Sequence, residues 1–237
     1  QAGEVLELVS LPRSFDPGGG SLNVDMSASL SAAALRALDA LEHYPYECTE
    51  QTLSRFLPNL ETYRVLQEFG VTAPTLQARL ERTLDEGLQR LLTRQNEDGG
   101  WGWWSRGDSD FFITSYVVFG LARASQAGVT LPEDVLDRGI VYLSASLTTP
   151  AMQTSSEQLD RLAFAQIALN QAGYNDRAGA EALYGVRDQL SPWARALLAL
   201  TLESLNPGSE NSRTLISDLQ AEALRTSTGV HWEQTTP

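Results

Sequence analysis

The sequence predicts an all-α fold built from helical hairpins, with a short β segment ahead of it. Three observations predict this. From Ser27 onward nearly every stretch carries apolar residues at helical spacing, with Ser, Thr, Pro and Gly placed as starts and stops. The segments 32–41, 115–125, 161–169 and 194–202 are apolar on nearly all sides and rich in small residues, the pattern of buried helices. Those between them, such as 76–92 and 133–143, carry charged faces. An alternation of buried and half-buried helices fits two concentric layers, repeated as hairpins of roughly 35–50 residues. Helical bundles of other topology fit the same pattern.

Taken in order, residues 4–15 alternate apolar and polar side chains at several positions and read as a strand. Asp16-Pro17-Gly18-Gly19-Gly20 is a turn or linker, and residues 21–26 form a second strand candidate. Residues 1–26 are thus expected to belong to a neighbouring β domain, and 27–237 to the helical one. Ser29 or Ser31 opens a helix over 32–42. Cys48 or Thr49 opens a second, running to Phe69 and closed by Gly70 as a left-handed residue. A third spans 75–94, and the loop Asn96-Glu97-Asp98-Gly99-Gly100-Trp101-Gly102-Trp103-Trp104 follows. A fourth helix covers 113–126 and stops at Gly128. Pro132 is placed as a first-turn proline after Thr130, opening a fifth helix to Leu147. Further helices are expected near 156–172, 176–189, 192–205 and 209–225, with Gly173 and Ser191-Pro192 as punctuation.

Composition narrows the class. At 237 residues and 42% apolar, the chain can bury a sizeable core. Its 30 acidic against 17 basic residues leave a net charge of −13, which repels a polyanion and argues against nucleic acid as a partner. One cysteine excludes an intrachain disulfide and a cysteine-based metal cluster. No apolar run approaches the roughly twenty residues of a membrane span. No signal peptide is visible, but Gln1 is not a natural start, and the chain reads as an excised piece.

The single cysteine carries the chemistry. In Tyr44-Pro45-Tyr46-Glu47-Cys48-Thr49-Glu50-Gln51 the thiol stands one helical turn from a carboxamide. Positions three apart on a helix share a face, so the two groups can condense with little backbone distortion. The Cys48 sulfur attacks the Gln51 side-chain carbonyl, ammonia leaves, and an internal thioester remains. Holding both groups together supplies a large effective molarity, and helix N-terminal amides favour a nearby thiolate. The plain alternative is a cysteine packed as a small hydrophobe.

The wording around the pair extends to Ser54-Arg55-Phe56-Leu57-Pro58-Asn59, and from Tyr44 to Asn59 it closely resembles the thioester signature of the alpha-2-macroglobulin and complement superfamily. The wording is nearest to the bacterial alpha-2-macroglobulins. Asp98–Trp104 followed by Thr114-Ser115-Tyr116 resembles the turn repeated in α/α toroids, and Gly229-Val230-His231-Trp232-Glu233 resembles a late segment of the vertebrate thioester domains. The resemblance implies an α/α toroid, here stopping before the ring closes. It implies a non-enzymatic defence role: a broad-spectrum protease trap whose bait is cut elsewhere in the full chain. The thioester is then uncovered and a protease lysine is acylated through Gln51. Partners would be target proteases and the other domains of the full-length chain. No cofactor or metal is implied, and bacterial members are typically periplasmic or attached to the cell envelope.

Several further residues are candidates around the thioester. Glu50 could orient the ring or steer a nucleophile, or be an ordinary exposed helix glutamate. Pro45 fixes the approach of the chain. Tyr44, Tyr46, Phe56, Trp101, Trp103 and Trp104 could supply an apolar cover against hydrolysis, or simply pack. In the complement relatives that prefer hydroxyl targets, a histidine on a later loop intercepts the acyl group. The corresponding stretch, 147–157, contains none, which implies direct transfer to amines.

Three other readings compete. Terpene cyclases and protein prenyltransferases are also α/α barrels, and such an enzyme would use Asp108-Ser109-Asp110 as its acidic pair. A cysteine hydrolase would need His43 or His231 within reach of Cys48. A helical scaffold would form no thioester at all.

Overall fold

Side chains that can take up free amide groups stand where the helices begin. The computed structural model describes residues 48–153, 155–226 and 229–233. The expected N-terminal β segment, the helix at 32–42, and His43, Tyr44, Pro45 and Tyr46 lie outside the described residues. Among those described, the helices are α1 (Thr49–Glu68), α2 (Pro74–Thr93), α3 (Phe111–Gln126), α4 (Val135–Ser146), α5 (Ser156–Gln171), α6 (Arg177–Gly185), α7 (Pro192–Leu205) and α8 (Glu210–Glu222). Asp110, Ser155, Asp176, Ser191 and Ser209 each accept an amide hydrogen bond of the first turn of α3, α5, α6, α7 and α8. The stops of α1 and α3 come from glycine. Gly70 and Gly128 take φ of 60° and 85°, and the next amides, Val71 and Val129, reach back to Leu66 and Ala124 carbonyls at 2.9 and 3.0 Å.

Consecutive helices pair as hairpins, α1 with α2, α3 with α4, α5 with α6, and α7 with α8. The first members of these pairs also touch in succession, α1 to α3 to α5 to α7. This is the double layer of an α/α toroid, with the odd helices inside. Aromatic rings line the α3–α5 contact, where Phe164 meets Phe112, Tyr116 and Phe119 at centroid distances of 5.6, 6.0 and 5.9 Å. The outer α2 buries Leu80, Thr83, Leu84, Gly87, Leu88 and Leu91 along one stripe and leaves its charged face to solvent.

α1 is seated tightly between its neighbours because two glycines allow it. A Cβ on Gly87 of α2 would stand 3.0 Å from Phe56, and one on Gly120 of α3 only 2.7 Å from Leu53. α1 buries Thr49, Thr52 and Asn59 beside Leu53, Phe56 and Leu60. Thr52 and Asn59 satisfy themselves within the helix, on the Cys48 and Arg55 carbonyls at 3.0 and 2.7 Å. An apolar-all-round pattern therefore misses this inner helix.

Several boundaries differ from the sequence expectation. The helix expected over 176–189 ends at Gly185, followed by a separate 3-10 turn at Arg187–Gln189. Pro132 does not start α4; its carbonyl accepts Val135 N–H in a turn, and the helix begins three residues later. The segment expected to end as helix at 225 instead stops at Glu222. Leu224–Arg225 (β1) then pairs antiparallel with Val230–His231 (β2). The Trp232 indole N–H donates to Leu219 O at 2.6 Å, satisfying a carbonyl that the last turn of α8 leaves free.

Candidate functional site

Cys48 is the N-cap of α1, with extended backbone at φ −74° and ψ 172°. Two reciprocal bonds bind it to Gln51. Gln51 N–H donates to Cys48 Sγ at 3.4 Å, and Cys48 N–H donates to Gln51 Oε1 at 3.1 Å. This is a capping box with a thiol in place of the usual hydroxyl. The carboxamide is thereby folded back over the sulfur-bearing residue. Cys48 is only 7% exposed, while Glu50 and Gln51 are half-buried.

Glu50 faces the sulfur, with Oε2 3.9 Å from Sγ. Its other oxygen accepts the Ser54 hydroxyl at 2.8 Å, and Ser54 lies 3.5 Å from the Tyr116 phenol of α3. On the α2 side, Arg94 donates to Thr52 Oγ1 at 3.2 Å, and Thr52 donates to the Cys48 carbonyl at 3.0 Å. Burial first, then the neighbouring Arg90, pull the Arg94 guanidinium below the usual arginine range, while Cys48 acts in the opposite sense. Sequence reasoning missed Thr52, Ser54, Arg94 and Tyr116. The two that reach the site from other helices, Arg94 and Tyr116, are not placed there by any local spacing.

The loop between α2 and α3 supports the first turn of α1. Trp103 O accepts Thr49 N–H at 2.9 Å, taking up an amide that the helix start leaves free. The loop is held by its own polar groups. Asn96 Nδ2 donates to Gly107 O and Ser109 Oγ at 3.1 and 3.0 Å, and Asp98 accepts from Gly100 N–H and Ser109 at 3.0 and 2.7 Å. A Cβ on Gly102 would come within 2.4 Å of the Asp108 carbonyl, so the chain doubles back there only as glycine.

The three loop tryptophans have different places. Trp101 is fully buried, its indole donating to Leu91 O at 2.7 Å and its backbone N–H to Thr114 Oγ1 at 2.8 Å. Trp103 and Trp104 are 44% and 63% exposed, and the loop meets α1 through the Trp103 carbonyl. Phe56 lies in the core against α2. Asp110 is occupied in capping α3 at 2.9 Å and Asp108 is exposed. His231 sits on β2, paired with Glu233 at 3.5 Å. Among the described residues, no group of three or more His, Cys, Asp or Glu is placed to hold a metal. No helix of the described residues is long and apolar enough to cross a membrane.

A model of the A-macroglobulin TED domain family matches residues 21–237. The chain belongs to this family. It is 42% identical over 107 residues to an alpha-2-macroglobulin of Thermotoga maritima, covering 45% of this chain and 6% of that protein. To the Escherichia coli alpha-2-macroglobulin it is 36% identical over 121 residues, covering 50% of this chain and 7% of the relative. The chain therefore spans a small part of the proteins it matches. Among solved structures, Salmonella alpha-2-macroglobulin reacted with methylamine superposes with a TM-score of 0.66 at 23% identity, over 83% of this chain and 13% of that one. That likeness carries the toroid fold to this TED domain.

Proposed function

We propose that this TED domain carries an internal thioester between Cys48 Sγ and the Gln51 side-chain carbon. Within a longer bacterial alpha-2-macroglobulin-like chain, it would serve to trap proteases covalently. The single observation behind this reading is the reciprocal Cys48–Gln51 capping box, at 3.4 and 3.1 Å, on a sulfur that is nearly sealed from water. A serine would cap this helix equally well, and a cap alone has no need of a thiol facing a carboxamide.

The chemistry follows from the pair. Cys48 sulfur adds to the Gln51 carboxamide carbon, the C–N bond breaks and ammonia departs, leaving the thioester. A lysine amine of an attacking protease then adds to the same carbon. The C–S bond breaks, the electron pair and a proton end on Cys48, and Gln51 remains joined to the protease as an amide. The Salmonella relative has been solved after reaction with methylamine, a small amine of the same class. The Escherichia coli relative has been solved in a trypsin-activated form. Both agree with amine acceptors and a proteolytic trigger. The stretch 147–157 holds no histidine to relay the acyl group, so transfer to the amine is direct. On this reading residues 1–26 belong to a neighbouring β domain. Tyr44 and Tyr46, with Trp103, Trp104 and surfaces of other domains, cover the thioester until the bait is cut. The compartment is periplasmic or envelope-associated, as befits a bacterial protein that meets foreign proteases.

Intact mass of freshly purified protein, with and without methylamine, and a parallel thiol titration test the reading. A mass one ammonia below the sequence value, no free thiol, and methylamine addition with release of one thiol are expected. The full sequence mass with a free thiol from the outset would overturn it.

A further inference from the structure

We infer that Arg94 is a positioning residue for the Cys48 sulfur, delivering a positive charge from the end of α2 that stabilises the sulfur as its acyl group departs. This rests on the thioester reading above and extends it to a residue outside the signature. The geometry is a two-bond relay. A guanidinium can only donate hydrogen bonds, so the Thr52 hydroxyl accepts from Arg94 at 3.2 Å and spends its own hydrogen on the Cys48 carbonyl at 3.0 Å. Thr52 is 3% exposed, which shields this relay from competing water. Arg94 is itself anchored at the C-cap of α2, its N–H on Leu91 O at 3.3 Å.

The need for such a charge comes from the other side of the sulfur. Glu50 Oε2 stands 3.9 Å from Sγ, held there by Ser54 and, through it, Tyr116. A carboxylate at that distance disfavours negative charge on sulfur. Acyl transfer creates that charge: the amine nitrogen bonds to the acyl carbon, the C–S bond breaks, and its electron pair goes to Cys48. Two influences favour it, the N-terminal end of α1 and the cation brought by Arg94. The influence of Cys48 on Arg94 runs in the matching direction, favouring the charged guanidinium against burial and against Arg90. The anion thus faces the sulfur from its own helix, while the cation from the next reaches Cys48 through Thr52 at the backbone carbonyl.

Wild type, Arg94→Gln and Arg94→Lys are compared by the rate of thiol release in methylamine, with intact mass on each. Removing the charge is expected to slow R94Q about threefold or more, for roughly half a charge developed at sulfur. R94K, which keeps the charge, stays within about twofold of wild type; a purely structural arginine would not be rescued in this way. A wild-type rate in R94Q, or equal slowing in R94K and R94Q, overturns the inference. If wild type shows the full sequence mass and a free thiol, the thioester reading has failed separately. The same proteins are then ranked by the rate at which the Cys48 thiol attacks an aromatic disulfide reagent. The order wild type, R94K, then R94Q supports the charge role, and equal rates overturn it. Should R94Q not fold, Thr52→Val cuts the relay instead: slowed reaction supports the inference and a wild-type rate overturns it.

Discussion

Thr114→Val probes the joint between the tryptophan loop and the ring of helices. Thr114 is fully buried at the start of α3, and its hydroxyl serves Trp101 twice, accepting from the backbone N–H at 2.8 Å and donating to the carbonyl at 3.1 Å. Valine nearly matches the shape and removes both bonds. The Trp101 carbonyl keeps a second donor, Asp110 N–H at 2.9 Å. The Trp101 N–H keeps none in this geometry, and a buried unpaired donor costs about 1–3 kcal/mol. With a smaller loss at the carbonyl, a total of about 2–3 kcal/mol is expected. For a chain of this size that is roughly 5–10 °C in Tm. Thr114→Ser is the control, since it keeps the hydroxyl and gives up one methyl group, worth about 1 kcal/mol. Far-UV circular dichroism melts of the three proteins decide. A T114V melt within about 1 °C of wild type, or a T114S melt as low as T114V, would refute the reasoning that this hydroxyl holds the loop. Because Trp103 of the same loop caps α1 at Thr49, T114V should also shorten the life of any thioester, followed by free-thiol appearance in plain buffer.

Other perturbations have signs set by the same contacts. Gly139→Ala puts a methyl 2.8 Å from Val118 Cγ2 and 2.9 Å from Trp101, an overpacking that should cost about 1–3 kcal/mol in urea unfolding. Gly185→Ala, at the end of α6 with nothing within 4 Å of the new methyl, should be neutral or gain up to about 1 kcal/mol in the same assay. Glu61 titrates below its ordinary value: burial alone would raise it, but hydrogen bonds and charge from Arg123 and Arg64 outweigh that. A depressed carboxylate contributes stability above its unfolded pKa and loses it as pH falls through the folded one. Wild type should therefore lose more stability than Glu61→Gln as pH drops below 4.5. The gap should be no more than about 1 kcal/mol, because this pair is partly solvated; parallel slopes in urea titrations across that range would contradict it.

Much of this was readable in one dimension because it is local. The reach of Gln51 to Cys48 spans a single turn, so the residue spacing already contains the geometry. The stops at Gly70 and Gly128, and the caps at Ser191 and Cys48, are likewise decided within a few residues of chain. The inner helices α3, α5 and α7 announce themselves through small apolar residues on every side. α1 does not, because its buried Thr52 and Asn59 find partners on their own helix, a solution that hydrophobic patterning cannot register.

What lay beyond the sequence is whatever depends on which helix faces which. Arg94 and Thr52 are 42 positions apart and Ser54 and Tyr116 are 62. Nothing in either neighbourhood marks them as a pair. The tryptophan loop shows the same division. Its glycines and aromatics mark a tight turn in the sequence, yet burial of Trp101 and exposure of Trp103 and Trp104 follow from where α2, α3 and α4 place the loop. A thiol and a carboxamide one turn apart are properties of a short peptide. The carboxylate, the guanidinium and the capping carbonyl around them arise only when the hairpins stack, because those contacts are paid for by core burial distributed over the whole ring.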